Sequence, residues 1–162
     1  MSYAQYSITE EVPVSDHVYK FLTRYVGADF YEAKRTDLLG NIILSSLNKN
    51  ADTKKHDQKY TKSFKLIIKE GHYVKNGVNL SIRNGQIFNF IADQFFREML
   101  FHHIIFQKNA QNDMYLKAMR NFLDWYNITE EDIKLESLWK DFTRKKPAIL
   151  RKKTTADNLP KV

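Results

Sequence analysis

The chain has 162 residues, the size of one domain at roughly 100–200 residues each, and 43% of its side chains are hydrophobic and 14% aromatic. That composition excludes an intrinsically disordered chain, and the absence of cysteine excludes disulfides, thiolate zinc sites and cysteine nucleophiles. The net charge of +7 is unevenly placed: residues 140–162 hold eight basic side chains against Asp141 and Asp157, while the rest of the chain carries 18 basic and 17 acidic ones.

The opening segment, MSYAQYSITEEVPVSD, has neither the basic n-region nor the apolar core of a secretory signal. Residues 1–13 read as a flexible lead. After Pro13 the spacing predicts a helix over 16–26. Ser15 is a candidate N-cap, Val18, Phe21, Leu22 and Tyr25 recur at i, i+3, i+4 and i+7, and Gly27 stands where a left-handed C-cap residue belongs. A second helix is predicted from Thr36 or Asp37 to about Asn48–Asn50, with Leu38, Leu39, Ile42, Ile43 and Leu47 at helical spacing. Gly40 inside it costs about 1 kcal/mol relative to alanine, which marks a close packing contact. Residues 49–62 are polar and lysine-rich and read as a mobile loop.

The strongest β signal follows. Phe64–Ile68 is a short β-prone run. Next, HYVK, the pair Asn76–Gly77, and VNLS have the form of a hairpin, because Asn-Gly takes the positive φ angles of a type I′ turn at little cost. A long helix is predicted over 85–107, capped by Ser81 or Asn84. Ile87, Phe88, Ile91, Phe95, Met99 and Phe106 form one stripe. Phe90, Leu100, Phe101, Ile104 and Ile105 widen it nearly around the helix, which implies burial on most sides, in the fold or in an oligomer. Asp93 and Arg97 are spaced to pair along it. Asn89, Asp93, Gln94, Arg97, Glu98, His102 and His103 interrupt the segment, so it does not read as a membrane span.

Residues 115–126 form another helix on the spacing of Leu116, Met119, Phe122 and Leu123. Thr129-Glu130-Glu131-Asp132 has the cap and acidic first turn of a helix start. A last helix is predicted over 137–144, ended by Pro147. These elements predict an α+β fold: a mostly helical single domain over 1–146, with a small antiparallel hairpin and a long buried helix, followed by a disordered basic tail at 147–162.

Residues 112–146 have the layout of a helix-turn-helix. In that motif the third helix enters the major groove and the second lies on the phosphate backbone. Lys140, Thr143, Arg144, Lys145 and Lys146 are then the candidate DNA contacts, with Asn127 and Thr129 near phosphate. Arg151, Lys152 and Lys153 add the sequence-independent affinity of phosphate neutralisation. The alternative is a plain helical cap with a solvated basic end. Lys54, Lys55, Lys59 and Lys62 beside Tyr60 form a second basic patch, which a surface loop explains equally well. Glu98 and His102 stand at i, i+4, but HExxH is absent, and the set is too small for a metal site. No glycine-rich phosphate loop, GxSxG elbow or acidic two-metal cluster is present, so no catalytic residue, cofactor or metal is expected.

The segments FLTRYVG, NLSIRNGQIFNFIADQFF and NITEEDIKLESLWKDFTRKK resemble small uncharacterised proteins of phages and bacterial mobile elements, over roughly residues 12–146. The resemblance implies a small regulator, a replication accessory protein or a phage component. It transfers no functional residue. The expectation is a cytoplasmic, non-enzymatic protein without a membrane partner that binds nucleic acid, DNA in the first instance. The alternative is an interaction module, a phage structural or anti-defence protein, that uses the apolar 85–107 helix for a homo-oligomer or another protein, with an acidic partner for the basic tail.

Overall fold

The computed structural model describes residues 6–49, 60–77, 79–107 and 112–157, with side chains in the last helix as far as Lys146. The fold is α+β and mostly helical. It divides into two compact units, Met1–Asp93 and Gln94–Val162, with the longest helix beginning in the first and ending in the second.

The first unit is built on a three-stranded sheet. Strand β1, Ser7–Val14, pairs antiparallel with β4, Lys62–Lys69, and β2, Phe30–Glu32, pairs with β4 in parallel, giving the order β1-β4-β2. In β4 every second residue, Phe64, Leu66 and Ile68, is buried, the period of a half-buried strand. The lead expected to be flexible is therefore a strand from Ser7 onward, and Met1–Gln5 lie outside the described residues. Val12 and Val14 are fully buried, and their alternation with polar neighbours supplies one core face. Pro13 is tolerated because β1 is an edge strand, where a missing donor leaves no central ladder bond open.

Helix α1, Asp16–Val26, has the predicted bounds. His17, Val18, Phe21 and Leu22 are buried, and Gly27 closes the helix at φ 79° with its N–H on the Thr23 carbonyl at 2.9 Å. Ser15 stands at the N-cap, but its hydroxyl donates to Asn89 Oδ1 at 3.3 Å instead of capping. Helix α2, Leu38–Ser46, is capped by Asp37, whose carboxylate accepts from the Gly40 amide at 2.7 Å and from the Tyr31 hydroxyl. Burial, with the hydrogen bond and charge of Asp37, pushes the Tyr31 hydroxyl well above the usual tyrosine range. Gly40 is the close contact its place in the helix suggested: a Cβ there would run into the Lys34 backbone.

The expected hairpin does not form. Glu70–Asn76 is helix α3, and Gly77, at φ 94°, ends it with its N–H on the Tyr73 carbonyl at 2.7 Å. Asn-Gly serves a helix end as readily as a hairpin turn, because both need positive φ. Strand β5, Asn79–Leu80, pairs instead with β3, Leu47–Asn48, from the end of α2.

Helix α4 runs from Ile82 to Phe106, with Ser81 Oγ accepting from the Asn84 amide at 3.2 Å. The helix is buried or half-buried on most sides, and Arg83, Gln86, Ile87, Phe90, Glu98, His102 and Phe106 make up its exposed strip. Phe88, Ala92, Phe96, Leu100, Phe101 and Ile104 are buried along one stripe, while Ile87, Phe90 and Phe106 are exposed. In the first unit, Asn89 accepts from the Ser15 amide at 2.9 Å, and Asp93 bonds His17 Nε2 at 2.7 Å. No helix among the described residues is long and apolar enough to cross a membrane.

In the second unit, α4 continues alongside α5, Asn112–Trp125, and α6, Leu135–Asp157. Ring contacts bind the three: Phe96 to Phe122 at 6.2 Å, Phe101 to Phe142 at 5.5 Å and Tyr115 to Phe142 at 5.7 Å. Asn127, at φ 54°, terminates α5. The amides of Asn127 and Ile128 bond the Asp124 and Leu123 carbonyls, and buried Ile128 follows, as in a Schellman end. The helix predicted from Thr129 is only a turn. Its capping geometry is real, since Asp132 accepts from the Thr129 amide at 2.7 Å and from its hydroxyl at 3.1 Å, but the chain leaves the turn before α6. Pro147 does not end the last helix. It removes one ladder donor, and α6 continues to Asp157, so residues 147–157 are helical where a disordered tail was expected.

Candidate nucleic-acid interface

Helix α6 carries seven basic residues against three acidic ones. At a rise of about 1.5 Å per residue its 23 residues extend about 34 Å. Its charge is organised around Asp141, which is buried. One carboxylate oxygen meets Arg144 at 2.6 Å. The other meets Lys145 and Arg97, each at 3.4 Å. Burial alone would raise the Asp141 pKa, but the Arg144 hydrogen bond and the Lys145 and Arg97 charges outweigh it, so the carboxyl stays below the usual range. One negative charge thus holds three positive ones, and the cluster keeps a surplus of cation.

The sequence candidates fall around this cluster. Lys140 is exposed and pairs with Glu136 at 2.6 Å, a solvated i, i+4 pair. Thr143 is exposed, and its hydroxyl donates to the Trp139 carbonyl at 2.9 Å. Arg144 is exposed and Lys145 half-buried, with the Lys145 ammonium 5.6 Å from the centre of the Phe101 ring. The Lys146 ammonium sits 4.2 Å over Tyr115. Arg151, Lys152 and Lys153 repeat Arg144-Lys145-Lys146 seven residues later on the same helix, and their side chains lie outside the described residues.

Sequence reasoning missed Arg97. Beyond the local spacing to Asp93, its guanidinium reaches Asp141, 44 residues away. The three-helix layout expected for residues 112–146 is not present: two helices flank a nine-residue connection, residues 126–134, and the middle helix is the single turn at Thr129. That connection exceeds the three or four residues of a helix-turn-helix turn. Thr129 and Asn127 therefore serve the turn and the end of α5. In the second basic patch, Lys54, Lys55 and Lys59 lie outside the described residues, and Lys62 belongs to β4. His102 is exposed, His103 is half-buried against Gln107 at 3.2 Å, and no group of three metal-ligating side chains occurs among the described residues.

Comparison of the chain with protein-family models, curated proteins and solved structures finds no significant match in any of the three.

Proposed function

We propose that the chain is a non-enzymatic nucleic-acid-binding protein of the cell interior, which engages phosphates, DNA in the first instance, along α6. The observation that carries this reading is the cation cluster on Asp141. Arg97, Arg144 and Lys145 are already held in place by one carboxylate and by Phe101. Side chains positioned in advance lose less freedom on binding, and the arginine fork suits a phosphate's paired oxygens. Lys146 and the Arg151-Lys152-Lys153 repeat extend the basic array along the helix. The resemblance to phage and mobile-element proteins fits a small regulator or replication accessory protein in this role.

The test is fluorescence anisotropy with a labelled random duplex and a single strand across a salt series. Replacing Lys145, Lys146, Lys152 and Lys153 with Gln should weaken binding and flatten its salt dependence. Each lost duplex phosphate contact lowers the log–log slope by about 0.9. Unchanged affinity and slope would reject α6 as the binding surface.

A second reading rests on the exposed Ile87 and Phe90 of α4, the latter 62% accessible. Adjacent exposed apolar side chains suit a partner or a second copy of the chain. Sedimentation that gives a concentration-independent oligomer, dissociated by Phe90→Glu, would favour it. A clean monomer would count against the homo-oligomer.

A further inference from the structure

The second unit has an open recess of about 560 Å³ between α4 and α5, lined by Met99, His102, His103, Phe122, Trp125 and Tyr126. That volume is within the roughly 300–1,000 Å³ of small-ligand sites. Five of the six lining side chains carry planar rings, and none is a carboxylate. Trp125 is 65% exposed at its edge, and so is Phe106, whose ring lies 6.2 Å from that of His102. A core-forming tryptophan would be covered, but this one presents much of its indole to solvent. An aliphatic groove suits the apolar face of a helix. Walls of rings suit a flat heteroaromatic group.

The surroundings place two exposed basic side chains beside the recess. On the outer face of α5, Arg120, Lys117, Asn121 and Trp125 are exposed and follow one another around the helix toward the recess. Lys117 and Arg120 make no ion pair among the described residues, and Asp113 and Asp124 are the acidic residues whose helical spacing puts them on that face. Within α4, Arg97 and Phe101 face α6 through Asp141 and Phe142, whereas Met99, His102 and His103 line the recess. A rigid duplex along α6 does not turn such a corner, and its bases are stacked and paired, so each would have to be flipped out at a cost. A flexible single strand has its bases free.

We propose that this recess takes an unpaired nucleobase, stacked on Trp125, from a single-stranded nucleic acid whose backbone crosses α5 at Lys117 and Arg120. The proposal deepens the nucleic-acid reading and rests on it. The test compares a labelled single-stranded oligonucleotide with an abasic strand of equal length and charge. The proteins are the intact chain, Trp125→Ala and Trp125→Phe. Base stacking on one aromatic platform should make the base-bearing strand bind about tenfold more tightly. Trp125→Ala should erase that preference without changing the salt slope, and Trp125→Phe should keep most of it. In a Trp139→Phe background Trp125 is the sole tryptophan, and its emission should be quenched by the base-bearing strand and not by the abasic one. Equal, salt-dependent affinity for the two strands would overturn the recess proposal and leave the α6 reading standing. A mononucleotide that competes as well as the oligonucleotide would overturn the strand as ligand. Absence of binding to both strands and to duplex at low salt would overturn both readings.

Discussion

Replacing Asp141 with Asn should lower stability. The carboxylate is buried and holds Arg97, Arg144 and Lys145. Arg144 is largely exposed, so water screens its loss, and its share is no more than about 1 kcal/mol. Arg97 is different: only 16% of its side chain is accessible. Removing one partner of a buried ion pair costs about 3–5 kcal/mol, and the partial access of this pair brings the expected loss to about 2 kcal/mol. Urea unfolding followed by far-UV circular dichroism reads it directly. The pH dependence carries the same information. The Asp141 pKa is depressed in the folded chain, so its contribution is complete above the ordinary carboxylate range and is lost as pH falls through that range toward the native value. The amide of the Asp141→Asn variant does not titrate, so the substituted chain should lack that part of the acid destabilisation. A stability change under about 0.5 kcal/mol, the range of an ordinary surface substitution, would refute the role given to Asp141.

Gly40→Ala should destabilise by about 1–3 kcal/mol, since the new Cβ meets the Lys34 backbone. Gly71→Ala, where a Cβ meets nothing within 4 Å, should be neutral or stabilising by up to about 1 kcal/mol. Chemical denaturation of the pair separates steric contact from helix propensity. Asn127→Ala should cost about 1–2 kcal/mol because its φ of 54° is left-handed, while Asn127→Gly should be tolerated; thermal melts of the two variants check the difference. Tyr31→Phe should remove a stabilisation that is complete below the ordinary tyrosine pKa and lost as pH rises above it, because the Tyr31 pKa is raised in the folded state. Stability measured from neutral to alkaline pH should therefore fall less steeply in the variant.

Local rules determined much of this chain from sequence. α1 has the predicted bounds because its apolar spacing and C-terminal Gly27 act within one or two turns. The β4 run and the Ser81 cap of α4 were legible for the same reason. The basic candidates of α6 were visible as a charge block, and Asp141 with Arg144 and Lys145 has ordinary i+3 and i+4 spacing. Other features depended on partners remote in sequence. SITEEVPV becomes a strand because β4, some fifty residues on, offers it a ladder. Asn76–Gly77 suits two local structures equally, and the pairing of β5 with β3 decides between them. The turn at Thr129 has a sound cap, yet the chain leaves it before α6 begins at Leu135. Arg97 joins Asp141, and Trp125 joins His102 and His103, only where α4, α5 and α6 come together. Backbone preference and charge are properties of neighbours in sequence, whereas ladder pairing, burial and the meeting of side chains belong to neighbours in space.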